Sequence, residues 1–116
     1  MYKIGEFSAL TGASVKTLRY YDQIGLLKPS KVDCYTSYRY YTSNEIQIFK
    51  RIEYLKKIGF TLEEIKNNLS NMTIECLEHK KEELQAKRDF IIAQISELDK
   101  LRENINQNHV KTLRKN

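Results

Sequence analysis

The second half of the chain carries a seven-residue repeat of large apolar side chains. No glycine or proline occurs from Thr73 to Asn116, so nothing in the local sequence interrupts a helix there. Leucine or isoleucine recurs at every seventh position of this segment, at Leu77, Leu84, Ile91, Leu98 and Ile105. This spacing is typical of a coiled-coil seam, to which Ile95 and Leu101 add part of a second row.

An apolar seam on an isolated helix would be exposed to water, so this segment needs a partner. A helix of about 30 residues spans about 45 Å, longer than a small head domain is wide. We therefore predict that residues 72–108 form a dimerisation helix that pairs with a second copy of the chain, rather than folding back on its own head. The polar and basic residues 109–116 are predicted to form a flexible tail.

The first half of the chain predicts two short helices joined by a tight turn. Apolar residues at helical spacing end at Gly12, and Ser14 then stands as an N-cap before a second helix over about residues 14–23. Two short helices around such a turn form a helix-turn-helix. Because Val15 and Leu18 face the first helix, their neighbours point outward. These outward positions are Lys16, Thr17, Arg19 and Tyr20.

Residues 30–41 change to a turn-prone stretch followed by strand-favouring tyrosines, which predicts a small β-hairpin. Two further helices are predicted after it, because Thr42 with Glu45 and Thr61 with Glu64 each match a capping box. Their apolar residues are expected to close the core of a compact head.

Charge is distributed unevenly along the chain, and this distribution limits the classes of function that the chain can have. The formal net charge is +5, and all of the excess lies in residues 1–60, since residues 61–116 carry equal numbers of acidic and basic side chains. A basic head on a balanced helix favours binding to a polyanion such as nucleic acid. No signal peptide, membrane span, metal-ligand cluster or catalytic constellation is evident, so we expect a cytoplasmic protein that is not an enzyme.

Five short runs, in this order and spacing, resemble the MerR family of bacterial transcriptional regulators over nearly the whole chain. The runs are Ile4-Gly5-Glu6-Phe7, Thr17-Leu18-Arg19-Tyr20-Tyr21-Asp22, Gly25-Leu26-Leu27-Lys28-Pro29, Ser37-Tyr38-Arg39-Tyr40-Tyr41 and Ile58-Gly59-Phe60-Thr61-Leu62-Glu63-Glu64-Ile65. The branch that senses drugs and other small molecules is the most similar, because residues 32–33 and 36–41 look like that branch's wing.

The resemblance implies a mainly α fold, in which a winged helix-turn-helix head over residues 1–71 precedes a long helix that pairs antiparallel in a homodimer. It implies binding to a pseudo-palindromic operator in promoter double-stranded DNA, which is bent and untwisted for bacterial RNA polymerase, with no cofactor. An alternative is an architectural or recombination-assisting protein that bends DNA without an effector, although such proteins usually lack the long helix.

The same resemblance, together with side-chain chemistry, assigns the DNA contacts. The expected residues are Lys16, Thr17, Arg19, Tyr20 and Tyr21 on the recognition helix, Ser37, Tyr38 and Arg39 on the wing, and Lys56 on the third helix. Arg19 could instead pair with Asp22, which we expect to orient it, and Tyr21 could instead belong to the core. Tyr38 and Tyr40 are expected to form a packed aromatic strand face opposite Arg39, with Tyr40 and Tyr41 structural.

Two departures from the family pattern bear on sensing. Metal-sensing members have a cysteine near Cys76 and a cysteine pair further on, whereas only His109 follows here, so no metal site is expected. Cys76 could be a redox-sensitive thiol, but an inert interface thiol is favoured, and Cys34 is expected to be exposed. The chain also ends where drug-sensing members continue into an effector domain, which leaves open whether a small-molecule effector exists.

Overall fold

The chain has a predominantly helical head and one long helix, as described by a computed structural model for residues 1–114, with side chains described as far as residue 108. The described elements are β1 (Tyr2–Lys3), α1 (Ile4–Thr11), α2 (Val15–Gln23), β2 (Lys31–Val32), β3 (Arg39–Tyr41), α3 (Ser43–Lys57), α4 (Leu62–Asn68) and α5 (Ile74–Arg114). The head comprises Met1–Met72, and a second unit begins at Thr73. The predicted mainly α fold with a winged helix-turn-helix head is confirmed.

The turn between α1 and α2 is closed by local hydrogen bonds. Gly12 ends α1 with a φ of 80°, a left-handed conformation that glycine adopts without a steric penalty. Ser14 then accepts a hydrogen bond from the backbone N–H of Thr17 at 3.0 Å, which confirms the predicted N-cap of α2.

The sheet differs from the predicted hairpin because it has a third strand. Its order is β1-β3-β2, all antiparallel, so that β3 is central. Tyr2 lies opposite Tyr41, and Lys3 lies opposite Tyr40. A two-residue strand is too short to show the alternation by which strands are recognised in a sequence, and for this reason β1 was not predicted.

The core of the head is built around one aromatic pair. The rings of Phe7 on α1 and Tyr41 on β3 are stacked, with centroids 4.3 Å apart and planes inclined by 17°, and both side chains are fully buried. The structural role predicted for Tyr41 is confirmed. The other buried apolar residues are Leu18, Tyr21, Leu26, Leu27, Phe49, Ile52, Leu55, Phe60 and Ile65.

Glu45, in the first turn of α3, links this helix to the start of the wing through hydrogen bonds. Its carboxylate accepts hydrogen bonds from the hydroxyls of Ser30 and Thr42, and Thr42 and Glu45 form the predicted capping box. Burial raises the pKa of Glu45, but the hydrogen bonds from Ser30 and Thr42 outweigh burial and hold the pKa below its ordinary value. The buried group therefore remains an anion at neutral pH.

Helix α5 continues to Arg114, past the end predicted at residue 108. No glycine or proline stands near residue 108 to end the helix there. Residues 115–116, and the side chains of residues 109–114 of the predicted tail, lie outside the described residues. Within the described part of the chain, no helix has both the length and the apolar character needed to cross a membrane.

We expect Glu45→Gln to destabilise the head by about 1–3 kcal/mol at neutral pH, because hydrogen bonds to a buried charge are lost. The folded-state pKa of Glu45 lies below 4.5, so its contribution is complete above pH 4.5 and is lost as the pH falls through the folded-state pKa. Thermal unfolding from pH 3 to pH 8 should therefore show a difference from wild type that shrinks in acid. Glu103→Gln, at an exposed position on α5, is the control; a difference independent of pH would contradict this account.

Candidate nucleic-acid interface

Helix α2 presents a polar face with two distinct flanks. Lys16 and Tyr20 are exposed at its outward side, and Tyr20 is 49% exposed. Successive residues of a helix turn by 100°, so Arg19 and Thr17, two positions apart, point to opposite sides. Arg19 is exposed and Thr17 half-buried. The predicted recognition residues therefore form one outward row with a residue on either flank.

One flank of α2 opens into a cleft of about 280 Å³, which we call the turn cleft. It lies where the α1–α2 turn meets α3, and it brings Lys56 of α3 close to the helix-turn-helix. Its polar lining residues include Ser14, Thr17, Tyr21, Glu53 and Lys56. Hydroxyl groups and an ammonium group around one cleft are donors suited to a phosphate oxygen.

Tyr21 has the core position that the sequence left open, and it also lines the turn cleft. Its ring is buried in the core, and its hydroxyl oxygen accepts a hydrogen bond from Lys56 Nζ at 3.3 Å. This hydrogen bond raises the pKa of Lys56, which stays protonated, and Glu53 lies 3.4 Å from the same ammonium. Because Tyr21 accepts from Lys56, its own hydroxyl proton remains available to donate to a group in the turn cleft.

The other flank of α2 opens into a larger cleft of about 520 Å³, the wing cleft, bounded by the start of α1, by α2 and by the wing. It brings together four predicted DNA contacts, Arg19, Ser37, Tyr38 and Arg39. Lys3, which sequence reasoning missed, also lines it. Nothing in the sequence indicated that Lys3 lies in this cleft, because its position depends on β1, the strand that was not predicted.

Asp22 does not orient Arg19 as predicted. Its carboxylate instead accepts a hydrogen bond from Arg39 Nε at 2.9 Å, an ion pair in which both side chains are half-buried. On α2, Asp22 lies on the side that faces the sheet, whereas Arg19 is exposed. The pair therefore joins the recognition helix to the wing and fixes where the Arg39 guanidinium lies.

The predicted packed face of Tyr38 and Tyr40 is also wrong. Tyr38 precedes β3 and is 53% exposed, and Tyr40 is only half-buried. Tyr41 is instead the tyrosine that is buried in the core. Because side chains two positions apart in a strand lie on the same face, Arg39 points to the same side as Tyr41, toward α2. Arg39 is consequently held in the structure instead of extending from a free strand face.

The wing loop is shaped by Asp33. Its carboxylate accepts hydrogen bonds from the backbone N–H groups of Tyr35 and Thr36 at 2.8 and 3.0 Å, and these bonds lower the pKa of Asp33. Ser37 follows with a φ of 62°. The Asp33–Thr36 spacing is typical of a local side-chain turn, and it was the signal in the sequence that could have fixed this loop. Tyr35 is left 94% exposed at its tip, another surface residue that sequence reasoning missed.

The predicted dimerisation row of α5 is exposed in the described single chain. Each of its side chains is at least 40% exposed: Leu77, Leu84, Ile91, Ile95, Leu98, Leu101 and Ile105. Phe90 and Ile92, which lie outside the predicted row, are 65% and 56% exposed and widen this apolar surface. A surface of this kind is typical of a protein–protein contact.

The two cysteines have no metal-site companions among the described residues. Cys34 is exposed and Cys76 half-buried, and both are free thiols. In the same part of the chain, no group of three or more histidine, cysteine or acidic side chains could hold a metal ion. The inert interface thiol expected at Cys76 and the alternative redox role both stay predictions.

The wing, the helix-turn-helix and the two clefts beside α2, each with at least one basic side chain, together define the winged helix-turn-helix class of DNA-binding head. Residues 2–72 match the family described as MerR HTH family regulatory protein. The chain therefore belongs to the MerR family, as its five sequence runs indicated.

The chain is similar to the multidrug-efflux transporter 1 regulator of Bacillus subtilis (strain 168), with 54% identity over 65 residues, which are 56% of this chain and 23% of that protein. The crystal structure of the N-terminus of MtaN, the Bacillus subtilis multidrug transporter activator, matches with a TM-score of 0.77 and 32% identity over 86% of this chain and 96% of that chain. A cryo-EM structure of the EcmrR–DNA complex in EcmrR-RPo matches with a TM-score of 0.79 and 31% identity, over 84% of this chain and 37% of that chain. The chain spans less than a quarter of the length of the first of these relatives.

We expect Asp22→Asn to weaken DNA binding although it makes the head more positive. The substitution leaves Arg39 without its charged partner and frees the wing from α2, at a cost of roughly 1–2 kcal/mol in stability. Fluorescence anisotropy with labelled duplex DNA measures the affinity. Asp99→Asn on α5 makes the same change of charge at an exposed position and serves as the control. Tighter binding by Asp22→Asn would show that net charge outweighs the placement of Arg39.

Proposed function

We propose that the chain forms the DNA-binding and dimerisation part of a bacterial transcriptional regulator that acts on promoter DNA in the cytoplasm. The observation that carries the proposal is the pair of clefts on opposite flanks of α2, each lined by cationic and hydroxyl side chains. A major groove is bordered by two phosphate strands, so a helix placed in it needs phosphate-binding groups on both sides.

In this arrangement the outward row of α2 reads base edges. Lys16 and Tyr20 enter the major groove, with Thr17 and Arg19 at its sides. Arg19 is the principal reader, because its planar guanidinium can donate two hydrogen bonds to a guanine edge or to a phosphate, and its predicted internal partner Asp22 is occupied by Arg39.

Phosphate contacts fix the position of the head on the duplex. Lys56 and the hydroxyl of Tyr21 bind one strand from the turn cleft. On the other flank, Ser37, Tyr38 and Arg39 of the wing meet the backbone beside the groove. These contacts add affinity that depends on salt and carry little sequence preference.

Two copies pair antiparallel through α5 and place two heads on a pseudo-palindromic operator. The apolar row from Leu77 to Ile105 supplies the contact, and Phe90 extends it. The dimer bends and untwists the promoter, and RNA polymerase then engages the distorted site. The similarity to EcmrR, solved in complex with DNA in EcmrR-RPo, supports an action at the promoter.

Two substitutions distinguish the role of the recognition helix from the role of the turn cleft. Arg19→Ala should weaken binding to an operator selected from random duplexes by roughly 1–3 kcal/mol per half-site, and weaken unrelated DNA much less. Lys56→Ala should weaken both duplexes equally and reduce the slope of log K against log salt by about 0.9 per head. Gel-shift titrations at several salt concentrations measure both quantities.

Lys100→Ala on α5 is the matched control, since it removes one lysine outside both clefts and should leave specificity unchanged. If Arg19→Ala bound the operator as tightly as wild type, the role assigned to α2 would be wrong.

Ile91→Glu should convert the dimer to a monomer. A carboxylate in an apolar seam loses hydration without gaining a partner, whereas the 52% exposed site tolerates it in a single chain. Sedimentation equilibrium measures the mass, and circular dichroism checks that the helices are retained. Ser96→Glu, five residues further along α5 and outside the apolar row, should remain a dimer. A dimeric Ile91→Glu protein would place the contact elsewhere.

A further inference from the structure

The wing cleft contains a cation that the proposed reading of DNA does not use. Lys3 lines this cleft together with Arg19, Tyr38 and Arg39, yet it lies on β1, outside both the recognition helix and the wing. Its side chain is exposed and has no role in the core. The following inference rests on the proposed function, since it assigns a ligand to this cleft.

The backbone of Lys3 is fixed on two sides. As part of β1 it pairs with Tyr40 of β3, and its N–H donates a hydrogen bond to Glu6 Oε1 at 3.0 Å. The Lys3 ammonium lies 5.4 Å from the centroid of the Tyr38 ring, within the range of a cation–π interaction. The ring restricts an otherwise flexible side chain, so the ammonium is positioned before any ligand arrives.

The charges around the cleft are not balanced by the protein. The basic side chains that line the cleft are Lys3, Arg19 and Arg39, and Glu6 contributes a carboxylate. Arg39 is paired with Asp22, and the Glu6 carboxylate accepts the backbone hydrogen bond of Lys3. Within residues 1–108, neither Lys3 nor Arg19 forms a salt bridge with any acidic side chain. Two unpaired cations lining one open cleft attract an anion from solution.

The position of the cleft identifies that anion. It lies on the Arg19 flank of α2, whereas the turn cleft lies on the Thr17 and Tyr21 flank. We propose that Lys3 binds a backbone phosphate of duplex DNA in the wing cleft, beside Arg19, and that the Tyr38 ring positions the Lys3 ammonium for it. The DNA strand on the wing side is therefore bound by Lys3 of β1 as well as by the wing.

Replacement of Lys3 by methionine tests this role, because methionine keeps an apolar stem but removes the charge. Binding of wild type and Lys3→Met to the selected operator and to an unrelated duplex is measured by anisotropy from 50 to 300 mM KCl. Loss of one phosphate contact lowers the salt slope by about 0.9 per head and the affinity at 0.1 M salt by roughly five- to tenfold per head, equally on both duplexes. Lys3→Arg, which keeps the charge, retains the wild-type slope.

The positioning role of Tyr38 has its own readout. In a Tyr38→Leu background, Lys3→Met has a smaller effect on affinity than in wild type, because the ammonium is no longer held in place. Equal effects of Lys3→Met in both backgrounds would overturn the positioning by Tyr38. Lys100→Met, which removes a charge outside the cleft, leaves the slope unchanged.

A wild-type salt slope in Lys3→Met, with thermal unfolding unchanged, overturns the phosphate site; Lys3→Gln repeats the test with a polar side chain should the methionine variant be unstable. If wild type binds the operator and responds to Arg19→Ala, that failure concerns Lys3 alone. If wild type binds neither duplex, the proposed function fails together with the phosphate site.

Discussion

The stacking of Tyr41 on Phe7 determines the arrangement of the head. A stacked, fully buried aromatic pair contributes about 0.5–1.5 kcal/mol beyond the burial of its surface, and here it joins the central strand of the sheet to the first helix. Once Tyr41 faces inward, the alternation of the strand turns Arg39 to the same side, where it meets Asp22 on α2. One apolar contact therefore sets the position of a charged residue that belongs to the candidate interface.

The helices could be predicted from the sequence because their signals are local. Ser14, Thr42 and Thr61 mark helix starts through hydrogen bonds within a few residues, and the structure confirms each of them. The sheet could not be predicted to the same extent. Strand β1 is only two residues long, and the choice between Tyr40 and Tyr41 as the buried residue depends on Phe7, which is distant in the sequence.

In the candidate site, too, features set by local sequence could be predicted, whereas features set by contacts distant in the sequence could not. The outward row of α2 follows from helix periodicity, so its members could be named from the sequence alone. The partner of Asp22 could not, because local spacing favours Arg19, whereas the fold supplies Arg39 from the wing at 2.9 Å. Likewise, Tyr21 could not be assigned to one role, since it is both a core residue and the hydrogen-bond acceptor of Lys56.

The pairing of Tyr2 with Tyr41 joins positions about forty residues apart. Closing a loop of this length costs chain entropy before the contact is gained, and such non-local contacts slow folding. The two helices of the helix-turn-helix can form early from local contacts, but the sheet closes only when the whole segment between its strands is ordered. The sheet is therefore expected to form late in folding, after the segment between its strands has become ordered.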